Sequence, residues 1–421
     1  MDRRHFLTTL SAGCLSPLLL ASPTWAVNEA RPKFKNLFVI MATGGWDTTW
    51  VFDPKPDSSY VDTAAGDWRS RGALRYWGSS ARPNIDAFFT NHGESTAIIN
   101  GIQVRSIAHL ACRRRILTGS TSDSASDFAT IVGGELGTTL PVPHLILGNT
   151  AFPGSLGAET VQVGFTNQIQ ALLDDTQAFP ERPGLPHPSL RVRPAEQALT
   201  RTFIQERVAA LRTTRSQSKR NEKLIQDYVR SYDRAQALKN YSDSFGNRGV
   251  TLDLGAQLSL AIEAVENGLT QTVTLEDRQP WDTHQNITLQ GIFLNNLFGA
   301  LDTFIETLKA RNGNRGGSLF DESLVVVMSE MSRTPRLNFA GGKDHWPYTS
   351  AMVIGPSVKS QVLGATDERL EGLSTEVIGV SGTQQSAPLL AETLTNTILR
   401  GAGVETSGIH PGQPSLDLWT L

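Results

Sequence analysis

The sequence repeatedly places a short apolar run directly before a turn or a polar residue. Residues 36–41 form such a run, which Thr43, Gly44 and Gly45 close. Runs of this kind are typical of strands that are buried on both faces of a mainly parallel sheet. Comparable runs predict strands at 96–100, 144–147, 323–328 and 351–354. Helical patterns separate these runs, and strands that alternate with helices predict a doubly wound α/β domain.

The first residues have the features of an export signal. The pair Arg3-Arg4 precedes a weakly apolar stretch that is too short to span a bilayer, and a small-residue cleavage site ends at Ala26. The pattern resembles a twin-arginine signal. We therefore expect residues 1–26 to be removed after passage through the twin-arginine translocase. The mature chain, 27–421, is expected in the periplasm or outside the cell, without a stable membrane anchor.

Charge and cysteine content narrow the function further. The whole chain has a formal net charge of −3 and lacks a basic tract that could follow a phosphate backbone, so we expect no nucleic-acid partner. Of its two cysteines, Cys14 would leave with the signal, and Cys112 could then form no intramolecular disulfide. A lipoprotein signal at Cys14 stays an alternative, although Ser11 occupies a position where a large aliphatic residue is preferred.

One segment departs from the alternation of strands and helices. Residues 180–194 are rich in proline, whereas residues 195–241 contain neither glycine nor proline and carry many charges. Apolar residues at four-residue spacing, such as Leu224 and Tyr228, predict two amphipathic helices here. We interpret residues of about 180–250 as a helical insertion in the α/β domain.

Ligands of open α/β sheets collect beyond the carboxyl ends of the strands. Four loops at such positions carry side chains that bind divalent cations. The candidate donors are Asp47, Asp282, His284, Glu330, Asp344 and His345. Taken singly, each has a plainer interpretation as a helix cap, a turn residue or a member of a salt bridge. A glutamate that ends an apolar strand, as Glu330 does, also needs a partner if it is buried.

The order of these motifs resembles a known family. Gly-Gly-x-Asp ends at Asp47, Asp-Thr-His ends at His284, Ser-Glu ends at Glu330 and Lys-Asp-His ends at His345. This order resembles the exported family called domain of unknown function 1501, which is in turn similar to sulfatases and alkaline phosphatases. The resemblance implies an alkaline-phosphatase-like three-layer α/β sandwich. It also implies a divalent metal ion (Mg, Ca, Mn or Zn) and an anionic small-molecule or polysaccharide ester as substrate.

The resemblance also assigns roles to residues outside these four motifs. His109 falls on the position of the sulfatase nucleophile and Arg113 on that of its assisting arginine, whereas Cys112 has the wrong offset for a formylglycine precursor. His109 could be a nucleophile, a metal ligand or general base, or a relic in a non-catalytic relative. Arg333 is a candidate for binding the anionic substrate.

A second departure from the relatives lies beside Glu330. Met331 stands where such relatives carry a metal-binding histidine, so a site at Glu330 would favour Mg, Ca or Mn over Zn. Two functions follow from the sequence. One is a metal-dependent hydrolase of phosphate or sulfate esters, in which a metal lowers the pKa of a bound water. The alternative is a catalytically degenerate relative that acts as a binding or envelope-assembly protein.

Overall fold

The computed structural model describes residues 32–162, 194–215, 218–238 and 253–420. The expected signal at 1–26 and all but the last residue of the proline-rich stretch lie outside the described residues. Within the described ranges, no helix has both the length and the apolarity needed to cross a bilayer.

Eight strands form one large sheet, and three short pairs lie outside it. The strands of the described residues are β1 Asn36–Ala42, β2 Asp67–Arg71, β3 Leu74–Gly78, β4 Thr96–Gln103, β5 His144–Leu147, β6 Thr160–Gln162, β7 Thr272–Asp277, β8 Ser323–Met328, β9 Ser332–Arg333, β10 His345–Trp346, β11 Tyr348–Ile354, β12 Gln361–Leu363, β13 Ser374–Ile378 and β14 Gln384–Pro388. The order in the large sheet is β12-β4-β11-β8-β1-β7-β5-β6. Within it, β11 is antiparallel to both of its neighbours, and the other pairs are parallel.

Helices cover both faces of this sheet. The helices of the described residues are α1 Pro83–His92, α2 His109–Thr118, α3 Phe128–Leu136, α4 Pro194–Arg215, α5 Lys219–Leu238, α6 Leu254–Glu266, α7 Leu289–Ala310 and α8 Ala391–Gly401. One apolar core joins the sheet to α1, α6 and α7, and a second core joins its other face to α2, α3 and α8.

Strand β1 shows why the sheet lies between two cores. Successive side chains of a strand point to opposite faces. Phe38 and Ile40 accordingly pack in the core with α7, whereas Leu37 and Val39 pack in the core with α2. All seven residues of β1 are buried, which explains the unbroken apolar run in the sequence. The predicted α/β sandwich with a mainly parallel sheet is confirmed.

The two helices expected between 195 and 241 are present as α4 and α5. Helix α5 reaches the main sheet domain through ion pairs of Arg230 and Arg234 with the buried Glu159. The interpretation of residues of about 180–250 as a single inserted unit stays a prediction.

Candidate metal centre

Five segments meet at one edge of the sheet. Four of them follow the carboxyl ends of the parallel strands β1, β4, β7 and β8, and the fifth precedes the antiparallel strand β11. Because β11 runs in the opposite direction, its amino end lies at the same edge as the carboxyl ends of its neighbours. This topology brings together residues as distant in sequence as His109 and His345.

Two glycines allow these segments to approach one another. Gly44 has a φ of +126°, and a Cβ atom there would lie 2.9 Å from the backbone nitrogen of Asp282. A Cβ atom on Gly342 would lie 2.1 Å from the carbonyl carbon of His284. A larger residue at either position would push Asp282 or His284 away.

His109 is the first residue of α2 and is held by a buried glutamate. Its Nδ1 lies 2.9 Å from Oε1 of Glu330, which is 1% exposed. Glu330 also accepts hydrogen bonds from the backbone of Gly44 and the hydroxyl of Ser329. The hydrogen bond from His109 to Glu330 raises the pKa of His109, against the opposing effect of burial. Glu330 thus has the partners that a buried carboxylate needs, and it orients His109.

Asp282 lies at the centre of the histidines. Its Oδ1 is 3.0 Å from Nε2 of His284 and 3.1 Å from Nε2 of His345, and its Oδ2 is 3.4 Å from Nε2 of His109. Burial alone would raise the pKa of Asp282, but the hydrogen bond from Arg333 and the contact with His345 outweigh it and lower this pKa to about 2. The Asp282 carboxylate is therefore ionised at neutral pH.

Each of the three imidazoles has an oxygen atom beside its Nδ1. His109 faces Glu330 at 2.9 Å, His284 faces Asp344 at 2.9 Å, and His345 faces the carbonyl of Ile107 at 2.7 Å. A carbonyl oxygen only accepts hydrogen bonds, and the same is true of an ionised carboxylate. Nδ1 of each neutral ring therefore carries the proton. The lone pairs of all three rings then lie on Nε2, the atom that faces Asp282.

This arrangement fits a bound cation. With lone pairs on both rings, Nε2 of His284 and Nε2 of His345 lie only 3.0 Å apart, a repulsive contact that a nearby cation or a proton on one of the rings would relieve. Ligand atoms around a tetrahedral zinc ion are roughly 3.3 Å apart. His109, Asp282 and His345 each offer one ligand atom, and these atoms all lie within 4.8 Å of one another. Oxygen partners on the far nitrogen are also what metal-binding histidines have.

Asp47 has a different partner from the one that we expected. It is fully buried, its Oδ2 is 2.8 Å from Nζ of the equally buried Lys343, and its Oδ1 accepts hydrogen bonds from Thr49. It also caps the short 3-10 helix Thr48–Trp50, which is the plainer of the two interpretations of this residue. The carboxylate of Asp47 is thus already occupied by an ammonium group.

Asp344 lies at the margin of the centre. Its carboxylate accepts hydrogen bonds from His284 and from Asn338, and the bond from His284 is the main cause that lowers the pKa of Asp344. This places Asp344 behind His284, in the position of a group that orients the ring.

The structure argues against the expected role of Arg333 in binding substrate. Arg333 is 0% exposed. Its guanidinium donates to Asp282 and to four backbone carbonyls, those of Gly44, Gly45, Trp281 and Lys343. A side chain with no exposed surface and these five acceptors cannot also bind a substrate. Arg333 instead ties the loops after β1 and β7 to the segment before β11.

Arg113 is better placed for an anion. It lies four residues after His109 in α2, so the two side chains share one face of the helix. It is half-buried, and its Nε atom is buried without a hydrogen-bond partner among the described residues.

Sequence reasoning missed the residues that support the centre. Asn338 belongs to no motif, and a lysine in a loop, such as Lys343, usually indicates a solvated surface. The carbonyl of Ile107 is a backbone group, which no side-chain pattern can reveal. The one signal for Lys343 was its position within the Lys-Asp-His motif.

A comparison with protein families shows the family of the chain. The family model described as "Protein of unknown function (DUF1501)" matches residues 34–407. The chain belongs to this family. The resemblance that the motifs suggested is therefore confirmed for the DUF1501 protein. Among curated proteins, none matches it.

Solved structures similar to this DUF1501 protein include phosphatase and sulfatase relatives. A protein of the alkaline phosphatase superfamily from Vibrio parahaemolyticus is 12% identical, with 93% of this chain and 73% of that chain covered and a TM-score of 0.42. A sulfatase from Pseudoalteromonas sp. is 11% identical, with 91% and 73% covered and a TM-score of 0.36. The alkaline phosphatase of the Antarctic bacterium TAB5 is 10% identical, with 78% and 92% covered and a TM-score of 0.33.

Proposed function

We propose that this DUF1501 protein is an exported, metal-dependent hydrolase of phosphate or sulfate esters. The observation that carries the proposal is the convergence of three imidazole Nε2 atoms on the ionised Asp282. The proposed substrate is an anionic ester, in a small molecule or a polysaccharide, and the proposed location is the periplasm or the outside of the cell. Passage through the twin-arginine translocase is part of the same proposal.

His109, Asp282 and His345 would hold the metal ion. Two nitrogen donors and one oxygen donor suit zinc or a similar borderline cation, and three protein ligands leave one position open. This revises the expectation of an oxygen-loving metal, which depended on Glu330 as a ligand. A bound metal ion would polarise the ester oxygen and lower the pKa of a bound water.

The remaining residues of the centre would accept a proton from the attacking water, bind the anionic ester and position the metal ligands. His284, oriented by Asp344, presents Nε2 and would accept the proton of the attacking water. Arg113 would donate hydrogen bonds to the non-bridging oxygens of the ester. Glu330 and Arg333 would position His109 and Asp282 from behind.

Elemental analysis of the mature protein, purified without chelator, tests the metal site. We expect about one divalent metal ion per chain, lost in His345→Ala and retained in His410→Gln. His410 is a buried histidine beside Gly119, at the opposite end of α2 from His109. His284→Ala should keep most of the metal but lower kcat on p-nitrophenyl phosphate or p-nitrophenyl sulfate by roughly 100-fold or more. A wild-type protein that contains no metal and is no more stable than His345→Ala would contradict the proposal.

A binding or envelope-assembly protein is the second candidate. It is favoured by two buried cationic side chains, since Arg333 pairs with Asp282 and Lys343 pairs with Asp47. In this candidate the charges of the centre would be balanced by the protein itself. A chain that stays metal-free in excess zinc and manganese would favour it.

A further inference from the structure

Four large apolar side chains are exposed on the two segments that flank the metal centre. Ile107 is 57% exposed and Leu110 is 58% exposed, whereas Leu337 is 46% exposed and Phe339 is fully exposed. Large apolar side chains that are exposed beside a polar centre are typical of a ligand-binding surface. We call these four residues the apolar rim.

The apolar rim is fixed to the metal centre by hydrogen bonds. The carbonyl of Ile107 lies 2.7 Å from Nδ1 of His345, and Leu110 directly follows His109 in α2. On the other side, the Nδ2 amide of Asn338, the residue between Leu337 and Phe339, donates to the carbonyl of His284 at 2.9 Å. The segments that carry the rim side chains are therefore hydrogen-bonded to His345 and to His284.

We infer that the ester cleaved at this centre carries an alkyl or lipid-like group, which the apolar rim binds while the charged end enters the centre. The inference rests on the proposed function and names its substrate class. Hydrolysis of such an ester would consume one water, break the bond between the bridging oxygen and phosphorus or sulfur, and release an alkyl alcohol with phosphate or sulfate. A sugar ester would leave the rim in contact with water and gain nothing from it.

Binding of two alkyl phosphates by isothermal titration calorimetry tests this inference. We expect n-octyl phosphate, below its critical micelle concentration, to bind the zinc-loaded wild type roughly tenfold or more tightly than ethyl phosphate, because six more methylene groups leave water. In the variant Leu110→Ser/Phe339→Ser the two affinities should agree within about threefold. The control variant Leu199→Ser/Phe203→Ser changes two exposed apolar residues of α4 and should keep the preference.

The outcomes separate this inference from the proposed function. If octyl phosphate binds preferentially but neither ester is hydrolysed, the apolar rim stands and the hydrolase fails. If both esters are hydrolysed with the same KM and bind equally, the hydrolase stands and the inference is overturned. A preference for octyl phosphate that survives in Leu110→Ser/Phe339→Ser would overturn it as well.

Discussion

His410 shows what a buried imidazole does to stability. It is 8% exposed, and its Nε2 has the hydroxyl of Thr395 as a partner at 3.1 Å. Burial lowers the pKa of His410 to about 4, from 6.5. The unfolded chain therefore takes up a proton near pH 6.5, whereas the folded chain does so only near pH 4. His410 leaves the free energy of unfolding unchanged well above pH 6.5 and lowers it as the pH falls from 6.5 to about 4.

We expect His410→Gln to remove this part of the acid sensitivity. Between pH 7.5 and pH 4.5 the free energy of unfolding of the wild type should fall by roughly 2–3 kcal/mol on account of His410 alone. The free energy of unfolding of the variant should fall by that much less over the same interval, whatever its value at pH 7.5. Urea unfolding at both pH values measures the difference. His92 and His144, whose pKa values burial also lowers, would account for pH dependence that remains. If the free energy of unfolding falls by the same amount in the variant and in the wild type, His410 is not responsible for the acid sensitivity.

At the scale of elements, the buried pair Asp47–Lys343 joins the loop after β1 to the segment before β11. Removing one partner leaves the other as an unpaired buried charge, at a cost of about 3–5 kcal/mol. We expect Lys343→Met to lose that much stability and Asp47→Asn/Lys343→Met to regain part of it. The free energy of unfolding in urea measures both. The half-exposed pair Lys359–Asp417, at 2.6 Å, offers a matched control, and Lys359→Met should cost no more than about 1 kcal/mol. Equal losses for the two lysine variants would contradict this role.

The same scale shows how far the sequence predicts this molecule. The apolar runs placed β5 and β8 with their observed bounds, because strands buried on both faces leave a continuous signal. Strand β4 extends to Gln103, three residues beyond the predicted end at 100, and β11 begins at Tyr348 rather than at 351. The hairpins β2–β3 and β13–β14 were not predicted, since most of their residues lie outside the cores and carry no apolar run.

The candidate centre was predicted less completely than the strands. The motifs grouped Asp47, Asp282, His284, Glu330, Asp344 and His345 as metal ligands, with His109 as a catalytic residue beside them. The structure brings His109, His284 and His345 into contact with Asp282, whereas Asp47 pairs with Lys343. The motifs could not show which donors face the centre and which stand behind it. That depends on burial and on partners far away in sequence, such as Glu330 behind His109 and Lys343 beside Asp47.

At the scale of the whole molecule, the proposed ligands tie together three distant parts of the chain. His109 begins α2, Asp282 follows β7, and His345 precedes β11, so a metal ion held by all three would bind the folded chain and not the unfolded one. Such binding stabilises by about 2.7 kcal/mol when the free metal is at 100 times its Kd. Adding a chelator should therefore lower the melting temperature of the wild type.

Calorimetry of four samples checks this coupling. The wild type and His410→Gln should both melt at a lower temperature after chelation, by a few degrees for a stabilisation of this size in a large domain. His345→Ala should melt at the same temperature with and without chelator, because it has already lost the ion. His284→Ala should still respond, since His284 is proposed to accept a proton and not to hold the metal. If His284→Ala also fails to respond, His284 is a fourth ligand, the centre is closed as in structural zinc sites, and the binding-protein candidate gains over the hydrolase.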